Sequence, residues 1–132
     1  MKYLVDTDIC IYVINERPRK VIERFQQAPV GDVAVSSITV AELAFGVAKT
    51  GSQRNRDALQ AFLLPLEIVT FDLEAALAYG DVRAELEAKG KPIGPLDTMI
   101  AAHARALGLT LVTNNVREFK RVRGLTVENW AT

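Results

Sequence analysis

The chain is poor in the residues that most often staple a small protein or ligate soft metals. It has one cysteine, Cys10, and one histidine, His103, among 132 residues. A lone cysteine makes no disulfide within a chain, and a reducing cytoplasm is the expected compartment. One cysteine and one histidine also make no set of nitrogen and sulfur ligands for zinc. No apolar run approaches the roughly 20 residues of a membrane span. Asp6 falls inside any would-be signal-peptide core, so neither secretion nor a membrane partner is expected. Charge of one sign is missing too: 16 basic residues balance 16 acidic ones. That excludes a wholesale basic surface but not a local basic patch. There is no internal repeat, low-complexity tract or linker.

What remains is an ordinary globular composition, 49% hydrophobic and 24% charged, long enough for a core without staples. Residues 1–132 are expected to form a single domain. Tyr3-Leu4-Val5 reads as a strand, ended by Asp6-Thr7-Asp8 and followed by a helix over Ile9–Ile14 that is apolar nearly all round. Such a helix is buried on several sides or serves a partner as well as the core. Cys10 lies inside it and reads as a small buried hydrophobe. A helix over Arg19–Gln27 places Val21, Ile22 and Phe25 at helical spacing. Val33–Ser36 is a short apolar strand. A helix over Val40–Lys49 opens with Thr39-Val40-Ala41-Glu42, the pattern of a capping box.

Further along, the spacing predicts a helix over Arg54–Leu64 with Leu59, Phe62 and Leu63 on one face, ended by Pro65. Glu67–Thr70 is a strand. Asp72 caps a long helix to Lys89, with Tyr79, Val82 and Leu86 facing inward. Pro95 suits the first turn of the next helix, and Gly108 stops it after Leu107. Thr110–Thr113 is a strand, Asn114 and Asn115 open a short helix to Lys120, Leu125–Val127 is the last strand, and Trp130 packs near the end. Short apolar strands alternating with helices predict an α/β fold, a parallel sheet covered on both faces in three layers.

Four polar residues fall where a strand ends or a helix begins: Asp6, Glu42, Asp97 and Asn115. Each has a purely structural explanation. Asp6 could cap the first helix, although Thr7 and Asp8 lie closer to its start. Glu42 completes a capping box with Thr39. Asp97 lies in a first helical turn, where the dipole favours an acid. Asn115 could cap the helix after it. Taken together they say more, because in a parallel sheet these junctions share one edge, where ligand crevices form. Three carboxylates gathered away from water repel one another unless a cation neutralises them. Oxygen ligands without histidine or cysteine point to Mg²⁺ or Mn²⁺. Such an ion activates water and steadies charge on a phosphoryl group, so metal-assisted phosphodiester hydrolysis is expected. Thr7 and Thr113 are hydroxyls at the same edge. Asp8 is either a cap or an additional supporting acid. His103 lies six residues after Asp97, about 240° round a helix, and does not share its face.

Several stretches, in this order, resemble PIN-domain proteins of the VapC toxin type over essentially the whole chain. They are Tyr3-Leu4-Val5-Asp6-Thr7-Asp8-Ile9, Ser36-Ser37-Ile38-Thr39-Val40-Ala41-Glu42-Leu43, and Pro92-Ile93-Gly94-Pro95-Leu96-Asp97 through Ile100-Ala101-Ala102-His103-Ala104. Leu111-Val112-Thr113-Asn114-Asn115-Val116-Arg117-Glu118-Phe119 and Gly124-Leu125-Thr126-Val127-Glu128-Asn129-Trp130 complete the series. The resemblance implies a PIN-like sheet of five parallel strands in the order 3-2-1-4-5. It implies a Mg²⁺- or Mn²⁺-dependent endoribonuclease, the toxin of a type II toxin–antitoxin pair, acting on RNA such as a tRNA to inhibit translation. It also implies a homodimer held by a cognate antitoxin, which lies in an apolar groove near the first helices and forms a higher hetero-oligomer.

By position, the family's acids fall on Asp6, Glu42 and Asp97, with Asp6 and Asp97 as metal ligands and Glu42 acting on the attacking water. The fourth position, usually aspartate, is Asn115, which would hold a metal-bound water. Asp8 stands where related toxins more often carry asparagine. Arg117, Lys120, Arg121 and Arg123, set against only Glu118, are expected RNA contacts. Arg17, Arg19, Lys20 and Arg24 form a second basic group. Two rival readings stay open. One is a haloacid-dehalogenase-type phosphatase using Asp6 of Asp6-Thr7-Asp8. The other is a PIN-like domain that binds RNA or a partner without cutting, which the neutral Asn115 keeps alive.

Overall fold

Five short strands form one all-parallel sheet in the order β3-β2-β1-β4-β5. The structure is a computed structural model and describes Met1–Thr132. The elements in chain order are β1 (Tyr3–Val5), α1 (Thr7–Ile14), α2 (Arg19–Gln27), β2 (Val33–Ser36), α3 (Ser37–Thr50) and α4 (Gln53–Leu63). They continue with β3 (Glu67–Val69), α5 (Leu73–Ala88), α6 (Pro95–Leu107), β4 (Thr110–Val112), α7 (Val116–Phe119) and β5 (Val127–Glu128). The expected three-layer α/β architecture and strand order are both present.

The two-residue period of the strands splits the core into two halves. Leu4, Ala34 and Leu111, adjacent in register, face α5 and α6 and pack on Val82, Leu86, Ile100 and Phe119. Val5, Val35 and Val112 face the other way, onto Ile9, Cys10, Val21 and Leu43. Both faces of β1, β2 and β4 are therefore buried, which is why they read as unbroken apolar runs rather than alternating ones, whereas the edge strand β3 is largely exposed. Trp130 closes the second half. Its ring meets Tyr3 edge-on at 5.1 Å, and its indole N–H donates to Glu128 Oε1 at 3.1 Å.

Two helix starts differ from expectation, for the same reason. The strands β1 and β2 run into helices with no loop between them. The residue at each junction, Asp6 just after β1 and Ser36 at the end of β2, keeps an extended backbone, the conformation of an N-cap. Asp6 (φ −71°, ψ 159°) caps α1 and accepts from the Thr7 amide; the helix begins before Ile9, and neither Thr7 nor Asp8 takes the cap position. Ser36 (φ −72°, ψ 147°) caps α3 and accepts from the Ile38 amide. The capping box expected at Thr39 and Glu42 does not exist: Thr39 lies fully buried inside the helix, and Glu42 is left for another partner. The last strand also differs: it is Val127–Glu128 and not Leu125–Val127, because Leu125 still belongs to the turn after Val122 and Glu128 is the residue that pairs with Val112. The other elements lie within a residue or two of expectation. Asp72 caps α5 through the Ala75 amide. Pro95 opens α6, and Gly108, at φ +68°, ends it in the left-handed conformation that glycine adopts without strain.

The chain builds β1, β2 and β3 in one direction and returns to lay β4 and β5 on the other side of β1. The order therefore reverses between β1 and β4. At their carboxyl ends the following segments diverge and leave a crevice.

Candidate functional site

Asp6 and Thr113 are the first residues beyond β1 and β4, and both are buried at this crevice, Asp6 at 5% exposure. The Thr113 hydroxyl donates to Asp6 Oδ2 at 2.8 Å. Asp6 Oδ1 accepts from the Thr7 amide at 2.8 Å. Each carboxylate oxygen thus has one fixed donor and a further lone pair facing the crevice. Asp8 bridges the same two segments. Its Oδ1 accepts from the Ile9 amide at 2.7 Å and its Oδ2 from the Asn114 amide at 3.1 Å. This answers the question left open for Asp8: it staples the start of α1 to the chain leaving β4, and its charge acts on Asp6.

Glu42 reaches the crevice from the second turn of α3. The Thr7 hydroxyl donates to its Oε1 at 2.6 Å, a length in keeping with an O–H bond to a charged acceptor. Asp97 enters from the first turn of α6 and is half-buried. Asn115 precedes α7 without capping it, and its amide donates instead to Glu118 Oε2. Glu118 is the residue that sequence reasoning missed, having counted it only as the lone acid in a basic run. Its charge acts on Asp97 and is, after burial, the largest cause of that residue's raised pKa. The available signal was its spacing: three residues after Asn115, on the same side of a short helix.

Five carboxylates therefore act on one another here, and the electrostatics record it. Asp6 is pushed up to about 7, first by burial and then by the charge of Asp8, with Asp97 adding a smaller push. Asp97 rises to about 6, from burial and then the charges of Glu118 and Glu42. Burial also raises Asp8. No cation answers these charges. The molecule's four ion pairs are Arg19–Glu23, Arg24–Glu128, Arg83–Glu87 and Arg105–Glu85, and none includes a crevice acid.

The donor set is all oxygen. No three acidic side chains converge on a point as a ready-made cage. That arrangement suits Mg²⁺, which takes one or two carboxylates and keeps several waters, better than an ion that needs a full protein shell. The raised values of Asp6 and Asp97 point the same way, since a cation relieves what burial and repulsion impose.

Other polar residues take structural places. His103 lies away from the acids, with Nδ1 2.9 Å from Ser36 Oγ and its ring edge-on to Phe71 at 5.4 Å; burial lowers its pKa. The Cys10 thiol is fully buried and pushed up by burial, then by the nearby carboxylates, so it is inert as a nucleophile. Arg117, Lys120 and Arg121 are exposed and in no ion pair. The second basic group divides: Arg19 pairs with Glu23, and Arg24 is held by Glu128 at 2.8 Å and lies over Trp130.

An apolar groove leads away from the crevice. Ile11 and Ile14 of α1 face Leu43 and Val47 of α3, and the groove ends at Thr7 and Glu42. Ile11 is 44% exposed, so α1 is both core and surface, as its all-round apolar character predicts.

Known proteins resemble this chain along its whole length. The PIN domain family matches residues 3–125. A tRNA(fMet)-specific endonuclease VapC from Shigella flexneri is 43% identical over 132 residues, covering 99% of each chain. A ribonuclease VapC2 from Haemophilus influenzae is 48% identical over 131 residues, covering 98% of each. Among solved structures, DNA-bound VapBC from Salmonella typhimurium superposes with a TM-score of 0.91 at 42% identity over 98% of both chains. VapBC2 from Rickettsia felis, bound to a DNA fragment from its promoter, gives 0.87 at 42% identity over 98% of this chain and 99% of that one.

Proposed function

The chain belongs to the PIN-domain family, among its VapC ribonucleases, and from that premise we propose that its five crevice acids cleave RNA with the help of Mg²⁺ or Mn²⁺. The observation that carries this reading is the set of carboxylates at the sheet's switch point with no cation paired to any of them. Asp6 and Asp97 are the ligands. An ion held there supplies charge neutralisation for the phosphodiester and lowers the pKa of bound water.

The protein's own groups supply the rest. Thr113 fixes the rotamer of Asp6 from below. Thr7 occupies Glu42 Oε1, which leaves Oε2 as the atom that takes the proton from the attacking water. Asn115 has its amide nitrogen committed to Glu118, so its Oδ1 is free to accept from a water. The charges of Glu118 and Glu42 raise the pKa of Asp97, and a cation held there would relieve that repulsion.

Phosphatase chemistry at Asp6 is displaced by the family. The non-cutting alternative rested on a neutral Asn115, and Glu118 brings a carboxylate to that side of the crevice. The RNA is proposed to be a tRNA, by likeness to the Shigella flexneri relative named for tRNA(fMet). The partner is proposed to be a cognate antitoxin, as in the VapBC complexes. An apolar antitoxin segment fits the groove between α1 and α3, whose inner end opens on Glu42. A homodimer is proposed for the toxin, and the cytoplasm as its site of action.

Cleavage of total tRNA, with Mg²⁺, with Mn²⁺ and with a chelator, tests the reading. Wild type is expected to cut only with the ions. Asp6→Asn is expected to lose about a thousandfold in rate, on the order of 4 kcal/mol of transition-state stabilisation, while its circular dichroism is unchanged. Cleavage that persists in chelator, or in Asp6→Asn, overturns it.

A further inference from the structure

Beside α7, five cations line one concavity with no apolar residue among them: Lys89, Lys91, Arg117, Lys120 and Arg121. Two come from the end of α5 and the loop after it, three from α7 and the turn that follows. All five are exposed, and none is in an ion pair. Lys89 has a local reason to be there, since it caps α5 where the helix dipole favours a cation. Lys120 caps α7 in the same way and Arg117 lies in its last turn; Lys91 and Arg121 have no such reason. Arg121 Nη1 donates to the Pro92 carbonyl at 3.3 Å, which ties the two segments and holds the like charges near one another.

The same two segments also build the acidic crevice. The loop carrying Lys91 runs through Pro92, Ile93 and Gly94 into the turn that holds Asp97. The helix carrying Arg117 carries Glu118 next to it, about 100° round the axis. One four-residue helix thus separates a cluster of acids from a cluster of bases. An acidic crevice repels a polyanion except at the metal, so RNA needs cationic purchase beside it.

We propose that this cup is a second backbone-phosphate subsite, which holds the RNA through a phosphate flanking the scissile one. The proposal rests on the ribonuclease reading. It assigns Lys89 and Lys91, brought to Arg117, Lys120 and Arg121 where Arg121 meets Pro92, 29 residues earlier in the chain, a role that their own neighbourhood in the chain does not suggest. The cup contains no base-stacking aromatic and no side-chain acceptor, so it reads phosphate and not sequence.

The test is equilibrium binding of total tRNA in metal-free buffer over a range of salt, with Lys89→Ala/Lys91→Ala against wild type. This measures the cup without requiring cleavage. Loss of two of the five cations that hold the phosphate is expected to weaken binding about tenfold at low salt and to lower the slope of log affinity against log salt by about 0.7, the value for one phosphate contact on a single strand. The melting temperature is expected to stay the same, because both lysines are exposed. With Mg²⁺ the variant is expected to show a raised KM for tRNA and an unchanged kcat, and to cut a dinucleotide as wild type does. An unchanged salt slope with cleavage intact overturns the subsite and leaves the ribonuclease reading standing. No cleavage by either protein, with the slope reduced, sinks the ribonuclease reading and keeps the phosphate site. If the variant instead binds tRNA normally and no longer co-purifies with the cognate antitoxin, the cup serves an acidic partner protein and the proposal fails.

Discussion

Carboxylates at two places in this molecule are treated in opposite ways. Glu128, at the end of β5, is held by Arg24 at 2.8 Å and by the Trp130 indole at 3.1 Å, and Arg24 itself lies over the Trp130 ring. That clasp ties the chain's last residues to α2 and β1 and leaves the acid satisfied. At the crevice, Asp6, Asp8, Glu42, Asp97 and Glu118 have hydroxyls, amides and one another, and no cation. The first arrangement contributes stability. The second costs stability, and a fold keeps such a cost where the charge is used on something brought in from outside. An acid with its arginine already in place is spent on the fold; an acid without one is available for a ligand.

The clasp should respond most to mutation. Trp130→Ala removes a fully buried ring together with its edge contact to Tyr3, and is expected to cost about 3–5 kcal/mol, read as a fall in denaturation midpoint. The crevice should respond in the opposite sense. An acid whose pKa is raised by folding binds more protons folded than unfolded, so its contribution is most favourable below about pH 4 and is lost as pH climbs through the folded value. For Asp6 and Asp97 that places the loss between about 4 and about 7. Metal-free protein should therefore become less stable across this window, by at most about 1.4 kcal/mol per pH unit for each group. Asp6→Asn should flatten the fall, and Mg²⁺ should raise the melting temperature more at pH 7.5 than at pH 5. A melting temperature indifferent to pH in both proteins would erase the contrast between the two regions.

A smaller effect isolates the support under Asp6. Thr113→Val keeps the shape but removes the donor to Oδ2, at an expected cost of about 1.5–3 kcal/mol for a hydrogen bond to a charged group. It should also push Asp6 further up, seen as a shift of the acidic limb of the cleavage profile to higher pH. The smallest effect belongs to Arg24→Ala. Its ion pair with Glu128 is about two-fifths exposed on each side, and solvent screening limits the loss to about 1 kcal/mol or less. Stability measured in 1 M salt should show even less difference between Arg24→Ala and wild type.

Much of this could be read from the chain, because the informative residues sit at element junctions. Asp6, Glu42 and Asp97 were legible as acids at the ends of strands and the starts of helices. The structural explanations attached to them were the weaker part. Ser36, with its extended backbone, caps α3, so Glu42 is free to accept from Thr7 instead of closing a capping box. Asp6 caps α1 with one oxygen and meets Thr113 at the crevice with the other, so capping and a place in the candidate site do not exclude each other. Glu118 was invisible as a site residue, since a single acid among arginines and lysines looks like surface charge until the turn of α7 brings it to Asp97. Lys89 and Lys91 were invisible for the same reason, lying in a loop far from Arg121 in the chain.

Local pattern alone determined the alternation of strands and helices, the burial of both faces of the central strands, and the three candidate acids Asp6, Glu42 and Asp97. These follow from composition and from periods of two and 3.6 residues, which act over a few positions. Tertiary structure alone decided which oxygen of Asp6 meets which donor, that Glu42 answers to Thr7, and that Glu118 stands beside Asp97. It also decided that the basic residues of two distant segments share one cup. Those are contacts between residues tens of positions apart, set by how β4 is laid beside β1, and no local period carries that information.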